Sequence, residues 1–245
     1  MWESPVRLRI RFSKTGKVRF VGHRDVARIM ERALRRVGVP VTYSEGFSPR
    51  LKMSFGLALP TCYESGAEYL DVPLESESVE HQTIACVGWA KGERRNEQQM
   101  QIALSEALPE GFEVIALRVE PSGGVSLQES VMSCGWEFDI RGIKPSQVEE
   151  KVEQVLSSKT VEVERKKKNE LVRENIRAGI MHLSVDGESE RGVIIATELA
   201  AKPRVIRPSE LLSALAPNSE IGVARRTHQW IEQDGQRVEP LLLSN

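Results

Sequence analysis

The stretch VRLRIRFSKTGKVRFVGHRDVARIMERALRRVGVPVTY, residues 6 to 43, decides the fold. It opens with alternation: Val6, Leu8, Ile10 and Phe12 on one side, Arg7, Arg9 and Arg11 on the other. Period two marks a half-buried strand with a basic outer face. Ser13 to Lys17 reads as a turn and Val18 to Val21 as a short return segment. The apolar period then changes. Val26, Ile29, Met30, Ala33, Leu34 and Val37 recur at helical spacing, and the opposite face carries Arg24, Arg28, Arg32, Arg35 and Arg36. That is an amphipathic helix with an arginine face. Asp25 suits its first turn and Gly38 its C-terminal end. Val39 to Tyr43 reads as a second strand.

Working outward, Glu68 to Leu74 reads as a third strand and Thr83 to Trp89 as a candidate strand. Glu97 to Leu108 is an amphipathic helix and Phe112 to Val119 a further strand, giving the order β-α-β-β-α-β. Pro121-Ser122-Gly123-Gly124 has linker composition. Beyond it come a strand (Trp136 to Ile140), a helix (Pro145 to Leu156), strands over Thr160 to Arg165, Ile180 to Val185 and Val193 to Leu199, a helix (Pro208 to Leu215) and a strand (Ile221 to Trp230). Proline opens both helices, where its fixed φ suits the first turn. The spacing therefore predicts an α+β chain: two tandem ferredoxin-like (βαββαβ) domains with antiparallel sheets, over residues 1–120 and 125–245.

Composition narrows the functional classes. The chain has 245 residues, of which 40% are hydrophobic and 28% charged, which excludes a disordered or collagen-like chain. Net charge is −1, but residues 1 to 54 hold thirteen Lys or Arg against four acids, and residues 64 to 120 hold twelve acids against four bases. A basic face meeting something anionic fits this asymmetry, as does mutual neutralisation of the two segments in the fold. Cys62, Cys86 and Cys134 are dispersed and build neither a disulfide framework nor a metal motif, in keeping with a reducing compartment. MWESPVRLRIRF lacks the apolar region of a signal peptide, and no stretch has the roughly 18 apolar residues of a membrane span. A soluble cytoplasmic protein is expected.

The chemistry-bearing residues gather in a long loop, YSEGFSPRLKMSFGLALPTCYES, residues 43 to 65. A loop of this length without regular structure in a small domain is usually functional or mobile. Arg50 and Lys52 supply cations; Tyr43, Phe47, Phe55 and Tyr63 supply rings. Interleaved basic and aromatic residues suit single-stranded nucleic acid, while Phe47, Met53 and Phe55 also suit packing as anchors. His23 at the helix start fits a phosphate contact, a general base toward a ribose hydroxyl, or a cap. No metal-ligand spacing, GxxxxGK[ST], GxGxxG or GxSxG occurs, and no cofactor is implied by the residues themselves. Arg165-Lys166-Lys167-Lys168 reads as a basic hairpin tip.

Residues 7 to 74 resemble the radical SAM-linked protein family, a domain of unknown function that is fused to, or encoded beside, a radical S-adenosylmethionine protein. The motifs that carry the resemblance are His23-Arg24-Asp25, Glu31-Arg32-Ala33-Leu34-Arg35-Arg36, Gly46-Phe47-Ser48-Pro49-Arg50 and Ser54-Phe55-Gly56. In the second half only Val161-Glu162-Val163-Glu164-Arg165 and the basic turn match in outline. The chain departs from the pattern at Leu51, where the family places proline, and at Thr61-Cys62, where it places leucine-glycine. The resemblance implies a radical SAM partner. The sequence has no CxxxCxxC to hold an iron-sulfur cluster, so such chemistry would belong to another polypeptide. A weaker, architectural similarity is to the CRISPR repeat-processing endoribonucleases.

The leading expectation is a non-catalytic RNA-binding accessory protein that presents RNA to a separate radical SAM enzyme. Lys14, Lys17, His23, Arg28, Arg32, Arg35, Arg36, Phe47, Arg50, Lys52 and Phe55 are the expected contacts. A metal-independent endoribonuclease using His23 and Tyr43 is one rival, and a protein-interaction module docking on the radical SAM partner is the other. No metal site and no membrane association are expected.

Overall fold

The computed structural model describes residues 6–75, 87–88, 94–167 and 170–241. The alternating stretch is a strand, β1 (Val6–Lys14), and its apolar side (Val6, Leu8, Ile10, Phe12) is buried. The expected return segment is instead a single 3-10 turn, Gly16–Phe20. The helical series becomes α1 (His23–Val37), with Val26, Met30, Ala33 and Leu34 buried. Gly38 ends it at φ 81°, donating its N–H to the carbonyls of Leu34 and Arg35. That left-handed step is where glycine is preferred.

The expected second strand is broken. Val41 bridges Leu74 and Tyr43 bridges Leu51. The chain leaves the sheet after Tyr43 and returns as β2 (Ser54–Phe55), which pairs with Asp71 and Leu70 of β3 (Glu64–Pro73). The edge strand is thus split by the loop. β4 (Val87–Gly88) and β5 (Arg94–Arg95) pair with each other; the rest of the candidate strand Thr83 to Trp89 lies outside the described residues. Then follow α2 (Glu97–Ala107), capped reciprocally by Asn96 and Gln99, β6 (Phe112–Pro121) and the short α3 (Leu127–Ser130). The strands run β3-β1-β6, antiparallel, with β2 beside β3. The buried residues of α1 and α2 join the apolar side of β1 in one core.

The second part runs β7 (Val131–Arg141), α4 (Pro145–Ser157), β8 (Glu162–Lys167), β9 (Glu170–Asn175), β10 (Ile180–Glu188), β11 (Gly192–Ala200), α5 (Pro208–Leu215), β12 (Glu220–Gln233) and β13 (Gln236–Val238). The order is β10-β11-β7-β12, antiparallel, with β13 on β12 and β8-β9 as a separate hairpin. The chain divides into two compact units, Met1–Ser130 with Val238–Asn245, and Val131–Arg237. The segment Pro121 to Gly124 lies inside the first unit, and the second is continuous in sequence.

The outer face of β1 is not open to a partner, as its alternation suggested. Arg9 is 7% exposed and donates from Nε and Nη2 to both carboxylate oxygens of Asp71, each at 2.8 Å, and from Nη1 to the Pro240 carbonyl. Arg11 donates from Nη1 to Glu239 at 2.7 Å and from Nε to the Gly66 carbonyl. Arg7 pairs with Asp71 and Glu120. Three of the basic residues of the N-terminal segment are therefore neutralised by acids of the same unit.

Two stability measurements test this description. Asp71→Ala removes the bidentate carboxylate from the buried Arg9 guanidinium and leaves it Glu120 at 3.2 Å, so the urea midpoint should report a loss of about 3–5 kcal/mol; a loss below about 1 kcal/mol, the level of a surface pair, would refute the buried pair. Cys62 is exposed and sits at φ 77°, in the left-handed region that disfavours side chains and where the resembling family has glycine. Cys62→Gly should raise stability by about 0.5–1 kcal/mol, the relief of that strain less the extra freedom of the unfolded chain; a lowered melting temperature contradicts it.

Candidate nucleic-acid interface

The outer face of α1 is built by helical spacing. Arg24, Arg28, Arg32 and Arg36 follow one another at i+4 and all are exposed. Their Cβ atoms stand about 5–6 Å apart and the series spans about 18 Å. Like charges at this spacing destabilise a helix by a few tenths of a kcal/mol per pair. Two acids relieve part of it: Asp25 pairs with Arg28 at 3.1 Å, and Glu31 with Arg35 at 2.8 Å. Among the described residues Arg24, Arg32 and Arg36 have no ion-pair partner. Among the described residues, the acids of 64 to 120 that meet arginines meet mainly those of β1.

The split edge strand lies along this helix. The Arg35 guanidinium sits over the Tyr43 ring, 5.3 Å from its centroid, in the last turn of α1. The His23 ring meets Phe55 edge-on at 4.8 Å, in the first turn. Between these anchors the loop closes on itself. Ser44 N–H donates to the Arg50 carbonyl at 2.8 Å, and Arg50 N–H donates to Ser44 Oγ at 3.0 Å. Leu51 is buried, and Met53 and Phe55 pack partly on the core. Phe47 stands alone beyond the closed neck with its whole side chain in solvent. Arg50 and Lys52 are exposed beside it. Lys17 is exposed on the 3-10 turn before α1, where Arg19 lies over the exposed Phe20 ring at 4.9 Å.

The predicted contacts therefore sort by position. Lys17, His23, Arg28, Arg32, Arg35, Arg36, Phe47, Arg50 and Lys52 are on the surface of this region, and Phe55 is a half-buried anchor. Arg24, which completes the row, and Phe20, beside its start, join them; the i+4 spacing signals the first, and no sequence signal marks the second. Lys14 differs. It is 4% exposed and donates from Nζ to the carbonyls of Val21 at 2.7 Å and Arg19 at 3.2 Å, bracing the 3-10 turn from inside. It is not available to a phosphate.

The pair needed for cleavage is not assembled. His23 contacts Phe55 and Tyr43 contacts Arg35, about three helical turns further along, and neither forms a hydrogen bond with the other. Among the described residues no carboxylate orients the His23 ring, and no group of three or more His, Cys, Asp or Glu could hold a metal ion. In the basic hairpin, Arg165 pairs with Glu174 at 3.6 Å, so that run is partly neutralised; Lys168 lies outside the described residues. No described helix is long and apolar enough to cross a membrane.

An α+β chain of two antiparallel sheet-and-helix units, with an arginine-faced helix beside a projecting aromatic loop, is the class these features define. The chain belongs to the family described as "Uncharacterized protein conserved in bacteria (DUF2344)", whose model matches residues 7–87 and 89–208. No curated protein matches it. Among solved structures it is similar to a chain of the crystal structure of a Cbf5-Nop10-Gar1 complex, at 13% identity and a TM-score of 0.43. That match takes in 93% of this chain and 49% of the other, so this chain spans about half the length of its structural relative.

The inward lysine makes a pH prediction. Burial pushes the Lys14 ammonium below its ordinary value of 10.5, against the opposing pull of Glu68 and Cys62. The unfolded chain then binds more protons than the folded one just below pH 10.5, so the contribution of Lys14 to stability rises as pH climbs through that window. The stability of the wild type relative to Lys14→Met, followed by urea unfolding, should increase between about pH 8.5 and about pH 10.5. A flat or falling difference would place the amine in solvent.

Proposed function

We propose that this chain is a cytoplasmic, non-catalytic RNA-binding accessory protein that presents RNA to a separate radical SAM enzyme. One observation carries the RNA reading: the row of exposed arginines on α1, three of them without an ion-pair partner among the described residues, running beside a loop that holds an aromatic ring in water. Phosphates are the ligand that several evenly spaced guanidiniums recognise best, since each can be gripped by paired N–H donors. The radical SAM partner rests on the resemblance over residues 7 to 74; this sequence holds no CxxxCxxC, so any cluster chemistry involved would fall to that partner.

Each unit is read as a ferredoxin-like variant. In the second, the order β10-β11-β7-β12 with α4 after β7 and α5 after β11 supports this, the hairpin β8-β9 being an insertion. In the first, the order β3-β1-β6 supports it, with the split strand at the edge. Many such folds bind RNA on the open sheet face. Here the arginines on that side of β1 are engaged internally, so α1 and its loop carry the proposed contact instead. Among the described residues no acid or base is oriented on His23, which favours binding over cleavage.

Filter binding of small RNA tests the reading. Four single-strand phosphate contacts should weaken binding about 50-fold between about 50 and about 200 mM salt. Arg32→Glu with Arg36→Glu should lower affinity at least tenfold and flatten that salt dependence, with the circular dichroism spectrum unchanged. Absent or salt-insensitive binding sinks the RNA reading. Intact RNA after incubation is expected throughout; cleavage lost in His23→Ala would restore the endoribonuclease instead.

A further inference from the structure

The rings of the 43–55 segment are not equivalent. Tyr43 lies under Arg35 and Phe55 meets His23, so both serve the segment's attachment to α1. Phe47 alone has no ring or cation contact among the described residues and is fully solvent-exposed. It is nevertheless held in place. The paired hydrogen bonds between Ser44 and Arg50 close the neck, Gly46 takes φ 120°, and Pro49 fixes a further φ. A ring on a floppy tether would lose most of its binding energy to ordering; one on a closed loop keeps it.

On this basis, and resting on the RNA reading above, we propose that Phe47 is a stacking platform for an unpaired nucleobase, and that the RNA bound here carries a single-stranded loop, bulge or end beside the phosphates gripped by α1. The chemistry divides between the two elements. Guanidiniums read the backbone of any RNA, paired or not. On an RNA, a ring presented in water gains from a flat π-face, which a duplex keeps inside its stack and a loop or bulge displays. Stacking on one ring tolerates any base, so the selection is for unpairedness and not for sequence.

The test compares two RNAs of equal length and phosphate number, a hairpin with an unpaired loop and a fully paired duplex, by filter binding at one low salt concentration. The wild type should prefer the unpaired RNA roughly tenfold, the lower range of a single base–aromatic stack. Phe47→Ala should erase that preference and leave duplex affinity unchanged, while Phe47→Trp should retain it. Because the side chain is fully exposed, these variants keep the fold. A second readout is covalent: ultraviolet cross-linking of the hairpin with 5-bromouridine in its loop should map to residue 47. The double substitution Arg32→Glu and Arg36→Glu should weaken both RNAs equally. Equal binding of the two RNAs by the wild type, unaltered in Phe47→Ala, overturns the platform and leaves the RNA reading standing; binding of neither overturns both. Loss of co-purification with a protein partner in Phe47→Ala, without a change in RNA preference, overturns the platform in favour of a protein pocket.

Discussion

Asp71 holds two arginines from one strand. Its carboxylate receives Nε and Nη2 of Arg9 and lies beside Arg7, at the point where β1 and β3 pair. A guanidinium at this depth is tolerated only when its charge is met and its donors are filled. The pairing of β1 with β3 delivers that carboxylate; the pairing with β6 delivers Glu120; the segment after β13 delivers Glu239 and the Pro240 carbonyl. Everything on that side of the first sheet is arranged around three positive charges. The other side of the same strand is apolar and fixes α1 and α2. One alternating sequence thus anchors a core and a charge network on opposite faces.

That network divides the basic surplus of the N-terminal segment in two. Arginines on a strand point into a neighbour's register and can be matched by a carboxylate on the adjacent strand, as Asp71 and Glu120 match Arg9. For its five arginines and a histidine, the helix α1 itself provides two acids, Asp25 and Glu31. The difference between an arginine paired inside the unit and one held at its surface lies here in the element that carries it. Lys14 obeys the same logic at the end of β1, where its ammonium finds backbone carbonyls and turns inward.

Much of this was legible in the sequence. The helix α5 begins and ends where its Pro208 and Leu215 indicate, α1 follows its apolar spacing, and the mixed α+β class follows from the order of periods. What escaped is explained by partners far away in sequence. Period two at Arg7, Arg9 and Arg11 reads as a wet face because Glu239 is 228 residues from Arg11. Val39 to Tyr43 has strand composition, yet its ladder is interrupted because the loop after Tyr43 bonds to itself through Ser44 and Arg50 before the edge resumes at Ser54. The strand β9, with Glu170, Arg173 and Glu174, is too charged for periodicity to show; it pairs with β8 through an antiparallel backbone ladder, on which Glu164 and Arg173 form an exposed cross-strand ion pair. In the candidate interface, the arginine row was visible as spacing, whereas the contrast between Phe47 and Phe55 depends on which one the β3 edge captures.

The return of Glu239, Pro240 and Leu241 to the first unit has a temporal side. During synthesis the strands and helices of residues 6 to 130 emerge first, but Arg11 meets its carboxylate, and the site lined by Ala67, Tyr69 and Leu127 receives Leu241, only after the whole of β7 to β13 has been made. The second unit, continuous from Val131 to Arg237, has all its own strands before that moment. The ribosome therefore releases a chain whose later half can close before its earlier half is finished, the reverse of the usual N-terminal-first order.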